Sequence, residues 1–284
     1  MNNILEVRGL RKSYGAFTLD DVSFDVPSGY IMGFIGPNGA GKTTTIKLIL
    51  NIINRAGGSV KLSGQELAVA QNGQIGVVMD TPMYVDEWTL KDVEKAISPF
   101  YADWDASQFA GYLSQFGLDA KKKVKELSRG MKVKLQIAAA LSHGAKLLIL
   151  DEPTSGLDPV ARDEICDLLR EFVIDENKSV LFSTHITADL EKAADFITFI
   201  LDGSVVFTGA KDDLLEKYAR VTGGLNELSV EQTKLVIGYR EYGEGFEGML
   251  ETVKIGMLPD TVLAEDISLD DIIIYMNRWV KANG

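Results

Sequence analysis

Apolar positions along the chain alternate between two rhythms. Up to about residue 27 the pattern is that of short strands, with Val22, Phe24 and Val26 separated by polar neighbours as in a half-buried strand. The unbroken apolar run from Tyr30 to Ile35 predicts a buried strand. A helical pattern then covers Lys42 to Asn54, where Ile46, Ile49, Leu50 and Ile53 share one face. Asn54 to Gly73 reads as a turn-rich stretch, with Gly57-Gly58 and Ser63-Gly64 as breakers, and a short strand follows over Ile75 to Met79. From about residue 81 to about 143 the rhythm is helical and rich in aromatics such as Trp88, Phe100 and Trp104, which predicts an inserted helical subdomain.

Strand patterns return at Lys146 to Leu150, Ser179 to Ser183 and Phe196 to Leu201. Between them lies a helix with Ile165, Leu168, Leu169 and Phe172 on one face. Ser204 to Thr208 reads as the return strand of a hairpin turned at Asp202-Gly203. Strands alternating with helices imply a parallel sheet covered on both sides. After about Tyr218 the composition shifts, with Gly223-Gly224 as a boundary signal. The remainder, including Leu235-Val236-Ile237 and a final apolar helix over Leu269 to Val280, reads as a small α+β appendage without a motif that carries chemistry.

Composition narrows the picture. A length of 284 residues accommodates one large domain and a small appendage. No apolar run approaches the ~18 residues of a membrane span, and the start, Met1 to Ile4, lacks the basic-then-apolar pattern of a signal peptide. The net charge of −12 argues against a nucleic-acid partner and against docking on anionic lipid by charge alone. The single cysteine, Cys166, excludes an internal disulfide and falls on an apolar helix face.

The strongest local signal is Gly36-Pro37-Asn38-Gly39-Ala40-Gly41-Lys42-Thr43, followed by Thr44, set between a predicted strand and a predicted helix. That is the context of a P-loop. Its glycines let the backbone turn tightly and aim N–H groups at a phosphate, and the helix N-terminus adds its positive dipole end. Lys42 can reach the β- and γ-phosphates of a nucleoside triphosphate, and the Thr43 hydroxyl can ligate Mg²⁺. About 109 positions further on, Leu147 to Leu150 is an apolar strand that ends in Asp151-Glu152. Asp151 can hold Mg²⁺ through water opposite Thr43, and Glu152 can serve as general base toward a water.

With these two motifs the chain resembles the nucleotide-binding subunit of an ABC transporter, from about residue 3 to about residue 215. Further motifs carry the likeness. Leu127-Ser128-Arg129-Gly130-Met131 is similar to the LSGGQ signature. Ser155-Gly156-Leu157-Asp158 stands at the D-loop, His185 at the switch histidine, and Tyr14 at the adenine-stacking aromatic. The resemblance implies an α/β fold: a P-loop NTPase (RecA-like) core with an antiparallel β subdomain, the helical subdomain at about 81–143, and a C-terminal accessory domain at 219–284 after a nucleotide-binding domain at 1–218. It implies ATP hydrolysis with Mg²⁺, in which Lys42, Glu152 and His185 are catalytic and Thr43 and Asp151 hold metal. It implies a sandwich dimer, homodimeric or heterodimeric, in which Ser128 and Gly130 meet ATP held by the second nucleotide-binding subunit, and it counts Asp158 of the D-loop among the nucleotide-binding residues. A separate transmembrane permease, docking near Asp86 to Trp88, would place the chain in the cytoplasm at the inner face of the cell membrane.

Two motifs depart from the family pattern, at three positions. Arg129 and Met131 stand where the signature has Gly and Gln, and Asp80 stands where the Q-loop has Gln. A carboxylate there can ligate Mg²⁺, so Asp80 is expected near the metal at the hinge to the helical subdomain. With the C-terminal extension, these departures resemble bacterial ABC-2 type exporters of antimicrobial or cytolytic peptides, of the bacitracin and phenol-soluble modulin kinds. The alternative is a soluble ABC ATPase with a nucleic-acid or regulatory role. The acidic charge opposes it, as does the short span between the two nucleotide motifs. His143, before Gly144 at a helix end, reads as a favourable C-terminal cap.

Overall fold

Residues 2–15, 17–67, 73–81 and 84–283 are described by the structure, a computed structural model. The first alternating stretch forms two long antiparallel strands, β1 (Asn3–Tyr14) and β2 (Phe17–Pro27), with Val7 opposite Phe24 and Leu10 opposite Val22. The apolar run becomes β3 (Ile31–Ile35), buried along its whole length. Helix α1 (Lys42–Ile49) is shorter than the pattern predicts. It ends because Asn51 turns into the left-handed region at φ 55°, and Ile53 packs on the core from the following loop.

The stretch read as turns instead holds a hairpin, β4 (Gly57–Leu62) and β5 (Gln65–Glu66), which extends the first sheet in the order β2-β1-β4-β5. Ser63-Gly64 is its turn, both residues at positive φ. Gly58 is no breaker. A Cβ there would lie 2.5 Å from the carbonyl oxygens of Arg8 and Gly9, so its bare backbone is what lets β4 approach β1.

After β6 (Ile75–Val78) come α2 (Leu90–Ile97), α3 (Ala106–Gln115) and α4 (Arg129–Leu141). Each begins at a side-chain cap, Thr89, Asp105 and Ser128 in turn. They enclose their own core of Leu90, Val93, Phe109, Leu113, Leu135 and Ala138. His143 does not act as a charged cap. It is buried, stacked on Tyr101 at 4.0 Å, with Nδ1 3.0 Å from the Gly73 carbonyl oxygen, and burial lowers its pKa.

The central sheet is completed by β7 (Leu147–Asp151), α5 (Pro159–Phe172), β8 (Ser179–Thr184), α6 (Thr187–Ala193), β9 (Phe196–Leu201) and β10 (Ser204–Ala210). Its order is β10-β9-β3-β8-β7-β6, with β9, β3, β8, β7 and β6 parallel. Parallel strands put their C-terminal ends on one edge, where ligands gather. Here Ile35 pairs with Thr184 and Asp151 with Ser183, so the loop after β3 and the ends of β7 and β8 meet there. Cys166 of α5 is buried and its thiol is pushed up to about 11 by burial, the behaviour of an inert core residue.

Residue contacts divide the chain into two compact units, Met1–Thr208 and Gly209–Gly284. The second contains α7 (Lys211–Lys217), β11 (Tyr218–Gly224), α8 (Val230–Thr233), β12 (Ile237–Tyr242), β13 (Gly245–Glu251), β14 (Leu263–Glu265) and α9 (Leu269–Asn283). Its sheet has the order β12-β13-β11-β14 over a core of Val221, Val236, Phe246 and Leu250. Gly223-Gly224 is not a break but the end of β11, paired with Phe246 and Gly245. In this unit Glu247 receives Arg220, Arg240 and Arg278.

Candidate functional site

The loop between β3 and α1 is shaped by what a side chain would strike. A Cβ on Gly36 would lie 2.2 Å from the Ile200 carbonyl oxygen of β9. Gly41, the N-cap of α1 at φ 111°, leaves room for Leu19 and for the Phe17 ring tip, which a Cβ would meet at 2.8 and 3.1 Å. Ala40 donates its N–H to the Pro37 carbonyl at 3.2 Å and accepts from the Gly203 N–H at 3.0 Å. The loop is thereby tied to the β9–β10 turn, and the first turn of α1 opens into a cavity of about 470 Å³. Asn38, Gly39, Gly41, Lys42, Thr43 and Thr44 line it. Peptide N–H groups at a helix N-terminus form an anion site, and this volume suits a nucleotide.

Lys42 is almost wholly buried, at 6% exposure, and its ammonium is held by three oxygens. It donates to the Gly36 carbonyl at 2.7 Å and to the Pro37 carbonyl at 3.3 Å, and stands 3.3 Å from Glu152 Oε1. The other oxygen of Glu152 is 2.7 Å from His185 Nδ1. Glu152 therefore bridges Lys42 and His185. Its backbone is held at φ 51°, a left-handed conformation that costs a non-glycine residue about 1–2 kcal/mol. The Glu152 N–H bond to the Ser183 carbonyl at 2.9 Å helps to hold it. Strain of this kind concentrates at functional sites.

Asp151, at 1% exposure, closes β7 behind Glu152. Burial pushes its carboxyl above the ordinary value, while hydrogen bonds from the Thr43 and Ser183 hydroxyls, the latter at 3.2 Å, pull it back. A hydroxyl and a carboxylate brought together beside a phosphate-sized cradle are a hard-oxygen donor set. They fit Mg²⁺, which takes one or two protein oxygens and completes its shell with phosphate and water. Among the described residues no group of three or more His, Cys, Asp or Glu forms a metal cage.

The remaining expected residues divide. Asp80 reaches the cavity, but its carboxylate is engaged by the Arg129 guanidinium, which lines the same cavity. Ser128 accepts the Met131 N–H at 3.3 Å as N-cap of α4, and Asp158 accepts the Val160 and Ala161 N–H groups, both at 3.0 Å, as N-cap of α5. Ser128, Gly130 and Asp158 do not line the cavity of their own chain. Gly130 instead faces Leu157, which a Cβ there would meet at 3.5 Å. Tyr14 is half exposed at the end of β1, beneath the Lys12 ammonium, and does not line the cavity either. The aromatic that does is Phe17. The two are cross-strand partners and so share a face of the hairpin, but the start of β2 brings Phe17 onto Gly41.

Two further residues take part that were not singled out for the site. Ser155, read only as the start of the D-loop, lines the cavity beside Glu152. Gln136, buried in α4, clasps the backbone of Met79 with two hydrogen bonds of 3.1 Å, one to its N–H and one to its carbonyl. A glutamine on a buried helix face signals a partner of this kind.

Comparison with known proteins agrees with this arrangement. The chain matches the ABC transporter family over residues 19–155. It is 35% identical over 206 residues to the lantibiotic transport ATP-binding protein SrtF of Streptococcus pyogenes, covering 72% of this chain and 89% of that protein. It is 32% identical over 212 residues to the bacitracin transport ATP-binding protein BcrA of Bacillus licheniformis, covering 72% and 69%. Among solved structures, an ATP-binding subunit of an ABC transporter shares 30% identity at a TM-score of 0.66, covering 74% of this chain and 91% of the other. A nucleotide-free ATP-binding cassette from an ABC transporter, at 24% identity and a TM-score of 0.64, shares the fold.

Proposed function

The chain belongs to the ATP-binding subunits of ABC transporters, and from that premise we propose that its ATPase cycle drives export of an antimicrobial-type peptide through a separate membrane permease. The observation that carries the catalytic part is the bridge Lys42–Glu152–His185 beside Asp151 and Thr43, all at one edge of the parallel sheet. Lys42 and the loop N–H groups neutralise the β- and γ-phosphates. Glu152 accepts the proton of the water that attacks the γ-phosphorus as the bond to the β-phosphate oxygen breaks, and His185 orients Glu152. Thr43 and Asp151 would hold Mg²⁺, which supplies charge neutralisation between the phosphates.

The peptide class is supported by the relatives, which are lantibiotic and bacitracin transport proteins. Among the described residues no helix is long and apolar enough to cross a membrane, and we assign the translocation path to a separate transmembrane permease, with this chain docked at the inner face of the cell membrane. A cleft of about 380 Å³ lined by Tyr84, Trp88, Phe100 and Tyr101, with Phe100 83% exposed, offers that partner an aromatic seat. Because Ser128 and Gly130 lie outside their own cavity, we assign them to nucleotide held by a second subunit.

The test is light scattering of Glu152→Gln protein with and without Mg-ATP at tens of micromolar. Doubling of the mass with ATP supports two-site sandwiching. A protein that stays monomeric removes the homodimer and leaves a different nucleotide-binding partner.

A further inference from the structure

We propose that Asp80 and Arg129 form a latch that fixes the N-terminal end of α4 to the edge of the nucleotide cavity. Both are positioning residues, and Asp80 is not a metal ligand. The inference rests on the reading of that cavity as the ATP site.

The argument begins with charge. The cavity wall holds two cations, Lys42 and Arg129, and two carboxylates, Glu152 and Asp80, and they are matched in pairs. The Asp80 carboxylate is committed to a guanidinium, whose forked donors match a carboxylate edge. Two of the three positions that depart from the family pattern, Arg129 and Asp80, thus account for each other. Arg129 alone would add an unpaired cation to the cavity wall, and Asp80 alone would set an extra carboxylate beside phosphate.

Geometry carries the argument further. Arg129 and Gln136 are seven residues apart on α4, two turns or about 10 Å along one face. Gln136 holds Met79 and Arg129 holds Asp80, so one helix face grips two consecutive residues at points two turns apart. A single contact permits the helix to pivot, whereas two resist rotation. The Arg129 stem also runs along the loop after β7. A Cβ on Gly156 would lie 3.4 Å from Arg129 Cδ and Nε, so the glycine leaves space for the stem. Ser128 and Gly130 flank Arg129 directly, and the latch therefore sets the position of the segment assigned to nucleotide on a second subunit.

The experiment compares full-length Asp80→Arg, Arg129→Asp and the double exchange. Each single variant should lower kcat by roughly tenfold or more with KM for ATP changed by less than about threefold, because placement is lost while the P-loop is kept. The double exchange should return kcat to within about threefold of wild type. Asp80→Asn should leave the Mg²⁺ midpoint for binding of a fluorescent ATP analogue within about twofold of wild type. In nucleotide-free protein, amide exchange at Met131 and Lys132, whose N–H groups bond to Ser128, should quicken by up to about fivefold in each single variant and recover in the double, the range an exposed ion pair supplies. If a charge-reversed variant fails to fold, Asp80→Asn and Arg129→Gln remove one charge without like-charge contact and should show the same losses at smaller amplitude. A double exchange as slow as the slower single, or a raised Mg²⁺ midpoint in Asp80→Asn, overturns the latch. A wild-type protein without ATPase activity would defeat the ATP-site reading instead, and the nucleotide-free exchange experiment still decides the latch.

Discussion

Replacing Glu152 with Gln removes one charge and one proton acceptor and keeps the shape of the side chain. Two effects of opposite sign should follow. Turnover should fall about 10²–10⁴-fold, the usual contribution of a positioned general base. ATP binding should tighten, because Glu152 Oε1 stands 3.3 Å from the Lys42 ammonium and competes with phosphate for it. At that separation, with an effective dielectric of about 20, the gross attraction is about 5 kcal/mol. Most of it is offset, since the displaced carboxylate regains water and Glu152 is 15% exposed. A net competition of about 1 kcal/mol left after that offset corresponds to roughly fivefold tighter binding in the variant. Steady-state phosphate release measures the first effect, and titration of a fluorescent ATP analogue measures the second. A variant that hydrolyses ATP at the wild-type rate would refute Glu152 as the base. One that binds more weakly than wild type would refute the competition for Lys42.

Two further outcomes follow from the geometry. Gly36→Ala should destabilise by about 1–3 kcal/mol, because the Cβ would meet a backbone oxygen of β9 at 2.2 Å that cannot give way. Gly111→Ala, at an exposed position of α3 with no atom within 4 Å of its Cβ and an ordinary helical backbone, should not destabilise, and equal melting temperatures for the two variants would contradict this account of Gly36. Burial lowers the pKa of His143 in the folded state, so the unfolded chain binds the proton first as pH falls. Stability should then be lost progressively from the ordinary imidazole value near 6.5 downward and level off below the folded value, and His143→Phe, which keeps an aromatic ring against Tyr101, should flatten that slope between pH 7 and 5 in urea titrations.

Which parts of this molecule could be read from the chain depends on how local each cause is. The strand–loop–helix of the phosphate site was legible because every requirement lies within a dozen residues: a buried run, glycines at tight turns, and a lysine at the helix start. The β4–β5 hairpin was not, because its glycines look like punctuation. Gly58 sits where β4 passes β1, and only the paired strand shows that the missing side chain is a packing requirement. Gly223-Gly224 misled in the same way, since a glycine that ends a strand and one that separates domains have the same local signal. The short α1 had a partial clue in Asn51, a residue type that tolerates the left-handed turn ending the helix.

At the site the division is sharper. Motif residues bound to backbone geometry were placed together by the sheet: Lys42 after β3, Asp151 at the end of β7 with Glu152 directly after it, and His185 after β8. Side chains whose roles depend on reach were not. Tyr14 and Phe17 are three positions apart on one hairpin face, yet which ring enters the cavity depends on how the start of β2 crosses Gly41. Asp80 read alone was a candidate metal ligand because nothing near it in sequence carries the compensating charge. The partner lies 49 positions away, on the helix that also presents Gln136 to Met79. Arg129 and Asp80 were each visible as a departure from the family pattern. A cation gained in one position and a carboxylate gained in another, with both side chains free to reach one pocket edge, should be tested as one substitution before either is given a separate chemistry.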